Sequence, residues 1–295
     1  MAKIAILHSS PQPTWSSRRL MKTLSKLGAQ PIYMLWSYTA ASIGSDCSLR
    51  YRGKCLDVDA IIVRGLGRGL SVEKYLYRYA FLKTAESQGI LVVNPTDALF
   101  TARDKFTSLR ILHQHGIPVP STVATENPSD VLREVERLRK AVLKPITGSL
   151  GLGSFMVDDT DTAYYVVNLL LTLNQPIYVQ EYVDKKDNRD IRIFVVDEKV
   201  IASIYRKAPQ GYWKTNIARG AKALPASPSS EILETALRAA SVLGLIYAGI
   251  DIIEYEGGHV VIEVNASPLW RGLQAATGVD PAKELAEAVL RRVKK

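Results

Sequence analysis

Residues 144–154 read KPITGSLGLGS, a glycine-rich stretch between two short predicted strands at 141–144 and 154–157. Glycines let backbone N–H groups close on phosphate oxygens, and a serine hydroxyl can add a donor. No lysine follows the last glycine and no helix follows the loop, so this is not a Walker loop. A flexible hairpin connection is the alternative. The residues predicted to face a phosphate are Lys144, Gly148, Ser149, Gly151 and Gly153.

Upstream of this loop, strand and helix patterns alternate over about the first 95 residues. Such alternation is typical of an α/β lobe with a parallel sheet. The predicted elements are a strand at 3–7, a helix at 17–27, a strand at 59–63, a helix at 72–86 and a strand at 90–93. We therefore predict a small doubly wound lobe at the amino terminus.

Further along the chain, the pattern becomes rich in strands. Helices are predicted at 105–115, 129–140, 161–173, 229–243 and 281–293, and strands at 177–182, 191–196, 200–205, 249–255 and 260–264. The longest irregular stretch is 208–228, and a loop of that length usually carries function. The fold class that follows is α/β and α+β, with β-rich lobes after the first lobe.

The composition excludes several classes of protein. The 295 residues favour two or three lobes, and 47% hydrophobic with 23% charged residues excludes disorder for most of the chain. No apolar run is long enough to cross a bilayer and no signal peptide is visible, so we expect no membrane and a cytoplasmic location. Cys47 and Cys55 suggest neither zinc nor a disulfide scaffold, although the pair could close a short surface loop.

The chain carries 38 Lys plus Arg against 29 Asp plus Glu, a net charge of +9 that implies anionic partners. A basic nucleic-acid-binding protein is one interpretation. The basic residues are scattered, however, and aromatic residues are not interleaved with them. Small anions such as nucleotides and carboxylates explain the charge as well, and we expect no nucleic-acid partner.

Residues 65–69 read GLGRG after the predicted strand 59–63. This turn is superficially similar to a dinucleotide-binding loop. It lacks the GxGxxG spacing, so its glycines are better explained by turn geometry.

A second candidate site follows the predicted strand 177–182. Gln180, Glu181, Tyr182 and Val183 could present backbone groups to a base, with a carboxylate for ribose hydroxyls. Alternation places Asp190 and Arg192 on one strand face. If residues 197–199 form a three-residue hairpin loop, Asp190 lies opposite Arg206. A cross-strand ion pair on a solvated face is the alternative.

The loop 214–220 carries Lys214, Asn216 and Arg219 close together. Arginine offers a planar fork to carboxylate or phosphoryl oxygens, and asparagine can bind a metal or a phosphate. The alternative is a solvated basic loop.

Asp251, Glu263 and Asn265 form an oxygen-rich set on a predicted hairpin. If residues 256–258 form a three-residue loop, Asp251 lies opposite Glu263 with Asn265 on the same face. If only residues 257–258 turned, Asp251 would lie opposite Val264. Hard oxygen ligands suit Mg²⁺, and two opposed carboxylates should repel each other unless a cation lies between them. A polar hairpin face is the alternative.

Taken together with Lys105, these motifs resemble the ATP-grasp superfamily, and within it the RimK-like α-L-glutamate ligases. The resemblance covers essentially the whole chain. It implies an amino-terminal domain at 1–95, a central subdomain at 96–180 and a carboxyl-terminal subdomain at 181–295, with the two β-rich lobes enclosing ATP. It also implies that Lys105, Lys144, the glycine loop and Lys214 bind ATP phosphates, that residues 181–183 meet adenine, with Gln180 part of the same nucleotide-binding strand, and that Asp190 meets the ribose.

The same resemblance implies that Asp251, Glu263 and Asn265 hold two Mg²⁺ ions, with Mn²⁺ as an alternative. Arg192, Arg206, Asn216 and Arg219 would face the transferred phosphate. The implied reaction forms an amide from an acceptor carboxylate and the amine of L-glutamate through an acyl-phosphate. The implied partners are therefore an amino acid and a carboxylate acceptor, and self-association stays open.

The acceptor differs among relatives of this kind. The string from Asn216 to Ala221 is similar to archaeal ligases that glutamylate a pterin cofactor, whereas relatives that modify a ribosomal protein often carry two glycines after the arginine. The LysX ligases of lysine biosynthesis, which act on a carrier protein, are also similar, but residues 265–267 read NAS where those ligases usually have NHT. An ATP-consuming phosphotransferase without ligation is a further alternative.

Overall fold

The structure is a computed structural model that describes residues 1–67, 69–146, 153–217 and 220–293. Its first part, up to residue 95, combines parallel strands with two helices. The elements in chain order are β1 (Lys3–His8), α1 (Trp15–Lys26), β2 (Gln30–Leu35), β3 (Thr39–Ala41), β4 (Leu49–Tyr51), β5 (Lys54–Cys55), β6 (Ala60–Val63), α2 (Val72–Ser87) and β7 (Leu91–Val93).

The amino-terminal sheet is parallel and has the strand order β2-β1-β6-β7. Successive residues of β1 point to opposite faces, as strand geometry requires. Ile4 and Ile6 pack with the α1 residue Leu20, whereas Ala5 and Leu7 join the core that contains residues of α2. Helices therefore cover both faces, and the prediction of a doubly wound lobe is confirmed.

Four short strands of this part were missed by the sequence prediction. β2 lies at the edge of the parallel sheet, and β3, β4 and β5 form a small antiparallel sheet of their own. A disulfide joins Cys47 to Cys55 across this small sheet. β3, β4 and β5 have only two or three residues each, too few to show a periodic pattern, which explains why these three strands were not predicted.

A helical pair and a second sheet follow. The elements are α3 (Thr96–Arg103), α4 (Lys105–Gln114), β8 (Thr122–Thr125), α5 (Pro128–Leu138), β9 (Ala141–Pro145), β10 (Phe155–Val157), α6 (Thr160–Thr172) and β11 (Ile177–Glu181). The strands are antiparallel in the order β10-β9-β11-β8, and α5 and α6 pack on the sheet through a core of their own. Asp104 caps α4, because its side chain accepts hydrogen bonds from the N–H groups of Phe106 and Thr107.

The third sheet contains the remaining strands. The elements are β12 (Arg189–Val196), β13 (Lys199–Lys207), β14 (Lys222–Pro225), α7 (Ser230–Val242), β15 (Tyr247–Tyr255), β16 (Gly258–Asn265), α8 (Arg271–Thr277) and α9 (Pro281–Val293). All pairs are antiparallel in the order β14-β13-β12-β15-β16. Strand β14 lies inside the stretch 208–228 that was predicted to be irregular.

Both predicted hairpin loops are one residue too long. β12 and β13 are joined by the two residues Asp197 and Glu198, which have positive φ as a tight hairpin requires, and a bulge then shifts the register. β15 and β16 likewise turn at Glu256 and Gly257 and carry a bulge after Asp251. Each bulge adds back the residue that the loop lacks. The predicted pairings in the two hairpins, Asp190 with Arg206 and Asp251 with Glu263, therefore hold.

The apolar cores connect the three sheets. The two larger clusters each contain residues of the amino-terminal sheet and of the third sheet, and α9 packs against α1. The buried side chain of Asn94 adds a polar link, since it donates to the carbonyls of Tyr247 and Ala266 and accepts from the N–H of Tyr247. The division into three domains stays a prediction, because these cores cross its boundaries. Among the residues described, no helix combines the length and apolar character that a bilayer crossing demands.

Candidate active site

A cleft lies between the second and third sheets. Most of the residues predicted from sequence line it together. These are Lys105, Lys144, Gln180, Glu181, Tyr182, Val183, Asp190, Arg206, Lys214, Asn216, Asp251 and Glu263. The loop residues Gly148, Ser149, Gly151 and Arg219 lie outside the described part of the chain, so their predicted contacts stay predictions.

Three predicted residues lie beside the cleft. Arg192 contacts it through Asp251, with which it is paired. Gly153 lies close to Pro145, a lining residue, and has the positive φ that favours glycine. Asn265 is opposite Gly249 on β16, and its Nδ2 is buried without a hydrogen-bond partner among the described residues.

One end of the cleft is built on the second sheet around Lys144. Its Nζ donates to Oε1 of Gln180 at 2.9 Å and lies 4.7 Å from the ring centroid of Tyr178, which is opposite on β11. The Gln180 amide in turn donates to the hydroxyls of Thr122 and Tyr178. Burial lowers the pKa of Lys144 to about 8; the Glu263 carboxylate opposes this shift and Lys105 adds to it. The amine is held in place by neutral partners, which suits it to an incoming anion.

The end of β11 and the segment after it line the cleft with Glu181, Tyr182 and Val183. The Glu181 carboxylate points elsewhere, since its Oε2 accepts a hydrogen bond from the N–H of Ser121. Tyr182 packs edge-on against Trp213, and Val142 and Ile253 add apolar surface to the cleft lining. Apolar surface of this kind suits a base.

The opposite wall is a row of charges across the third sheet. Arg206 forms a two-point ion pair with Asp190, with Nε–Oδ1 and Nη2–Oδ2 distances of 2.7 Å. Arg206 also reaches Oδ2 of Asp251 at 3.0 Å, and Arg192 donates to both oxygens of Asp251. Thr215 donates its hydroxyl to Asp190. The Asp190–Arg206 pair is 99% and 94% buried, so the alternative of a solvated surface pair is wrong.

This network fixes the ionisation of its members. Burial alone would raise the pKa of Asp251, but the guanidinium groups of Arg192 and Arg206 hold it below the usual value. Burial likewise opposes the charge of Arg206, and the carboxylates of Asp190 and Asp251 raise its pKa. Two guanidinium groups therefore compensate Asp251. These two arginines offset part of the repulsion expected between Asp251 and Glu263, and the metal assignment of the pair stays a prediction.

Glu263 and Asn265 complete the acidic corner. Glu263 lies directly opposite Asp251, and its Oε1 is 3.7 Å from Nζ of Lys105. Oδ1 of Asp251 accepts one hydrogen bond from the network and Oδ2 accepts two, so Oδ1 retains a lone pair. The oxygens of two carboxylates and of the Asn265 amide are the hard donor set that Mg²⁺ prefers, and the residues fit this ion.

The loop that carries Lys214 and Asn216 is tied to both sides of the cleft. Lys214 donates to the carbonyl of Ser154 at 2.6 Å, across the cleft from its own sheet. Lys185 donates to the carbonyl of Trp213 at 2.7 Å and to Thr215 Oγ1 at 3.3 Å. Asn188 adds a hydrogen bond to the carbonyl of Tyr212. These contacts hold the basic loop over the cleft. A loop that was merely solvated would not make them.

Sequence reasoning missed several residues that line the cleft. Val142 and Ile253 alternate with Lys144 and Asp251 on their strands, so alternation would have found them. Lys185 lies in an irregular turn, where no periodic signal exists. Burial lowers its pKa, with the nearby Asp190 carboxylate opposing the shift.

The fold and this site define a nucleotide-dependent ligase of the ATP-grasp class. Residues 102–289 match the family of RimK-like ATP-grasp domains. A protein of Pseudomonas entomophila (strain L48), described as a probable alpha-L-glutamate ligase, is 36% identical over 289 residues, which cover 97% of this chain and 94% of that protein. The chain belongs to the RimK-like ATP-grasp family and is an ADP-forming ligase.

Solved structures share the fold at low sequence identity. The ATP-grasp ligase PsnB, in a complex with a phosphomimetic variant of a minimal precursor, Mg and ADP, superposes with a TM-score of 0.78 at 22% identity, over 98% of each chain. The RimK domain protein from Sphaerobacter thermophilus DSM 20745 gives a TM-score of 0.74 at 22% identity, over 98% of this chain and 100% of that one. These two matches support the fold.

Proposed function

We propose that the protein joins L-glutamate to a carboxylate of a cofactor or of a protein carboxyl terminus, using ATP and Mg²⁺. The observation that supports this proposal most directly is that a single cleft is lined by apolar surface, several lysines and an acidic corner. The apolar surface suits a base, the lysines suit phosphates, and the corner suits the divalent ion that accompanies a nucleotide.

The residues would act mainly by binding and orientation. Lys105, Lys144 and Lys214 would hold the phosphates, with the glycine loop 148–153 closing over them. The backbone of residues 181–183 would bind adenine, and Asp190 would be at the ribose end. Positioned cations lower the cost of bringing two anions, a carboxylate and a phosphoryl group, into reaction distance.

The metal ligands would be Asp251, Glu263 and Asn265, holding two Mg²⁺ ions or Mn²⁺ in their place. Bound there, the ions would neutralise charge that develops on the phosphate oxygens. Arg192, Arg206, Asn216 and Arg219 would orient the transferred phosphoryl group and the acyl-phosphate. The ion pairs at Asp251 and Asp190 keep the guanidinium planes of Arg192 and Arg206 fixed for this task.

ADP release measured across amino acids and carboxylate acceptors, with mass spectrometry of the products, tests the proposal. The acceptors should include a pterin-type cofactor, peptides that end in a free carboxylate and a carrier protein. The expected result is Mg²⁺-dependent ADP release with an acceptor heavier by one or more glutamyl residues.

Other products would refute the proposal. A stable phosphorylated acceptor would indicate a phosphotransferase. Modification of a carrier protein in lysine biosynthesis would indicate the LysX type. Salt-sensitive nucleic-acid binding without ADP release would indicate the basic nucleic-acid-binding class.

A further inference from the structure

The loop after β6 lies outside the cleft and carries a buried cation. Arg64 is only 4% exposed. Its hydrogen-bond acceptors among the described residues are all uncharged: the hydroxyls of Tyr247 and Ser16 and the carbonyl of Pro268. Its Nε is buried without a partner there. The guanidinium also lies over the rings of Trp270 and Tyr247, 4.6 and 5.7 Å from their centroids. Such cation–π contacts offset only part of the cost of a buried charge without a counter-charge, so the group favours an anion.

The backbone of the same loop is held from one side. The carbonyl of Gly65 accepts from Trp36 Nε1 at 2.9 Å, that of Leu66 accepts from Arg78, and that of Gly67 accepts from Arg103 at 2.8 Å. A trans peptide points its N–H opposite to its carbonyl. The N–H groups of Leu66 and Gly67 therefore point to the other side, and no described residue accepts a hydrogen bond from them.

His8 supplies a further donor at this place. Its Nδ1 accepts a hydrogen bond from the N–H of Ser10 at 2.7 Å, so a neutral ring carries its proton on Nε2. Burial, with the Arg64 charge adding to it, lowers the pKa of His8 to about 4, which keeps the ring neutral. The ring edge lies against Gly65, where a Cβ would be 3.2 Å from Nε2.

The topology explains why these groups meet. His8 ends β1 and Arg64 follows β6, and β1 has β2 on one side and β6 on the other. The carboxyl ends of such a strand pair form the switch point of a parallel sheet, where open α/β sheets bind ligands.

The place is linked along the chain to residues of the cleft. Arg103, which holds the Gly67 carbonyl, is two residues before Lys105. Pro268, whose carbonyl accepts from Arg64, is three residues after Asn265. An amino-acid substrate must bring its amine to the phosphate end, and its own carboxylates do not react. They need a binding site that is separate from the phosphates and close to them.

We propose that His8, Arg64, Leu66, Gly67 and Pro268 form a binding site, here called the Arg64 crevice, for a carboxylate of the amino-acid substrate. The backbone N–H groups of Leu66 and Gly67 and the ring Nε2–H of His8 bind the carboxylate oxygens. The buried guanidinium of Arg64 supplies the counter-charge. This inference rests on the proposed ligase function and adds the binding site of the amine-bearing substrate.

His8→Phe is the principal test, because it removes the donor and keeps a flat ring. The expected result is an about tenfold or larger rise in KM for L-glutamate, the scale of a hydrogen bond to a charged group, with KM for ATP within about twofold. Arg64→Lys should also raise KM for L-glutamate, but by less than the loss of the charge would, because lysine keeps a positive charge at this position. His113→Phe, at an exposed position of α4, is the matched control.

Calorimetry with L-glutamate, in the presence of a non-hydrolysable ATP analogue, measures binding without turnover. Weaker glutamate binding by folded His8→Phe protein supports the crevice. An unchanged KM and affinity for glutamate in both variants overturns it, and so does a rise in KM for the acceptor alone. If the wild-type protein ligates no amino acid, the proposed function is refuted. Absence of glutamate binding in calorimetry is a separate result, and it refutes the proposed binding site at the Arg64 crevice.

Discussion

Replacing Lys144 with arginine should remove a pH dependence of nucleotide affinity that the buried amine imposes. The pKa of Lys144 falls from 10.5 to about 8 because burial disfavours its charge. If only the ammonium form binds phosphate, the apparent affinity scales with the charged fraction. This fraction is about 0.9 at pH 7 and about 0.1 at pH 9, which predicts an about tenfold loss of affinity between them.

Variants separate Lys144 from the other lysines of the cleft. Arginine stays charged over this range, so Lys144→Arg should give a flat profile. Lys144→Met should also be flat, and weaker than wild type at pH 7 by about 1–3 kcal/mol, the scale of a lost charge-assisted hydrogen bond. Lys199→Arg, in an exposed hairpin, is the matched control and should retain the wild-type slope.

The assay is a titration with a non-hydrolysable ATP analogue between pH 6.5 and 9.5, followed by calorimetry or by the fluorescence of Trp213 in the cleft. Stability gives an independent check. The unfolded chain keeps the Lys144 proton up to about pH 10.5 and the folded protein only to about 8, so this lysine makes stability rise with pH in that window. Parallel binding profiles for wild type and Lys144→Arg would refute the reasoning.

Three further predictions concern the acidic corner and the basic loop. Asp251→Asn should destabilise the fold by about 3–5 kcal/mol, since it leaves two arginines beside an uncharged partner; an unchanged urea midpoint would contradict this. Glu263→Gln should raise the Mg²⁺ concentration for half-maximal turnover by more than about tenfold, and an unaltered Mg²⁺ titration would remove Glu263 from the metal site. Arg219→Ala should lower turnover by about a hundredfold, with ATP affinity within a few fold; near-normal turnover would return the loop to the solvated interpretation.

Half of the charged row was predictable because strand geometry is strict. Alternation places Asp190 and Arg192 on one face, and the β12–β13 hairpin brings Arg206 opposite Asp190. A one-residue slip would have turned these side chains to the other face. The predicted loops were each one residue too long, and a bulge in each hairpin compensated. Bulges leave no signal in a hydrophobic pattern, so the pairings were found and the turns were not.

The partners of Asp251 were beyond the reach of the sequence. Pairing Asp251 with Glu263 needs one hairpin, whereas its contacts with Arg192 and Arg206 need the order of three strands that are distant along the chain. Local pattern does not define that order. The same limit applies to Lys185, which reaches the basic loop from an irregular turn.

The distribution of charge in the cleft bears on what the net charge of +9 means. The row of Arg192, Arg206, Asp190 and Asp251 is neutral as a unit, because two guanidinium groups face two carboxylates. Glu181 turns its carboxylate to Ser121. Among the described residues that line the cleft, the charges that remain are four lysines against two glutamates, namely Lys105, Lys144, Lys185 and Lys214 against Glu181 and Glu263. This local excess attracts a polyanion of nucleotide size. The cleft therefore accounts for an anionic ligand without invoking a nucleic acid, whose binding would need a basic surface track.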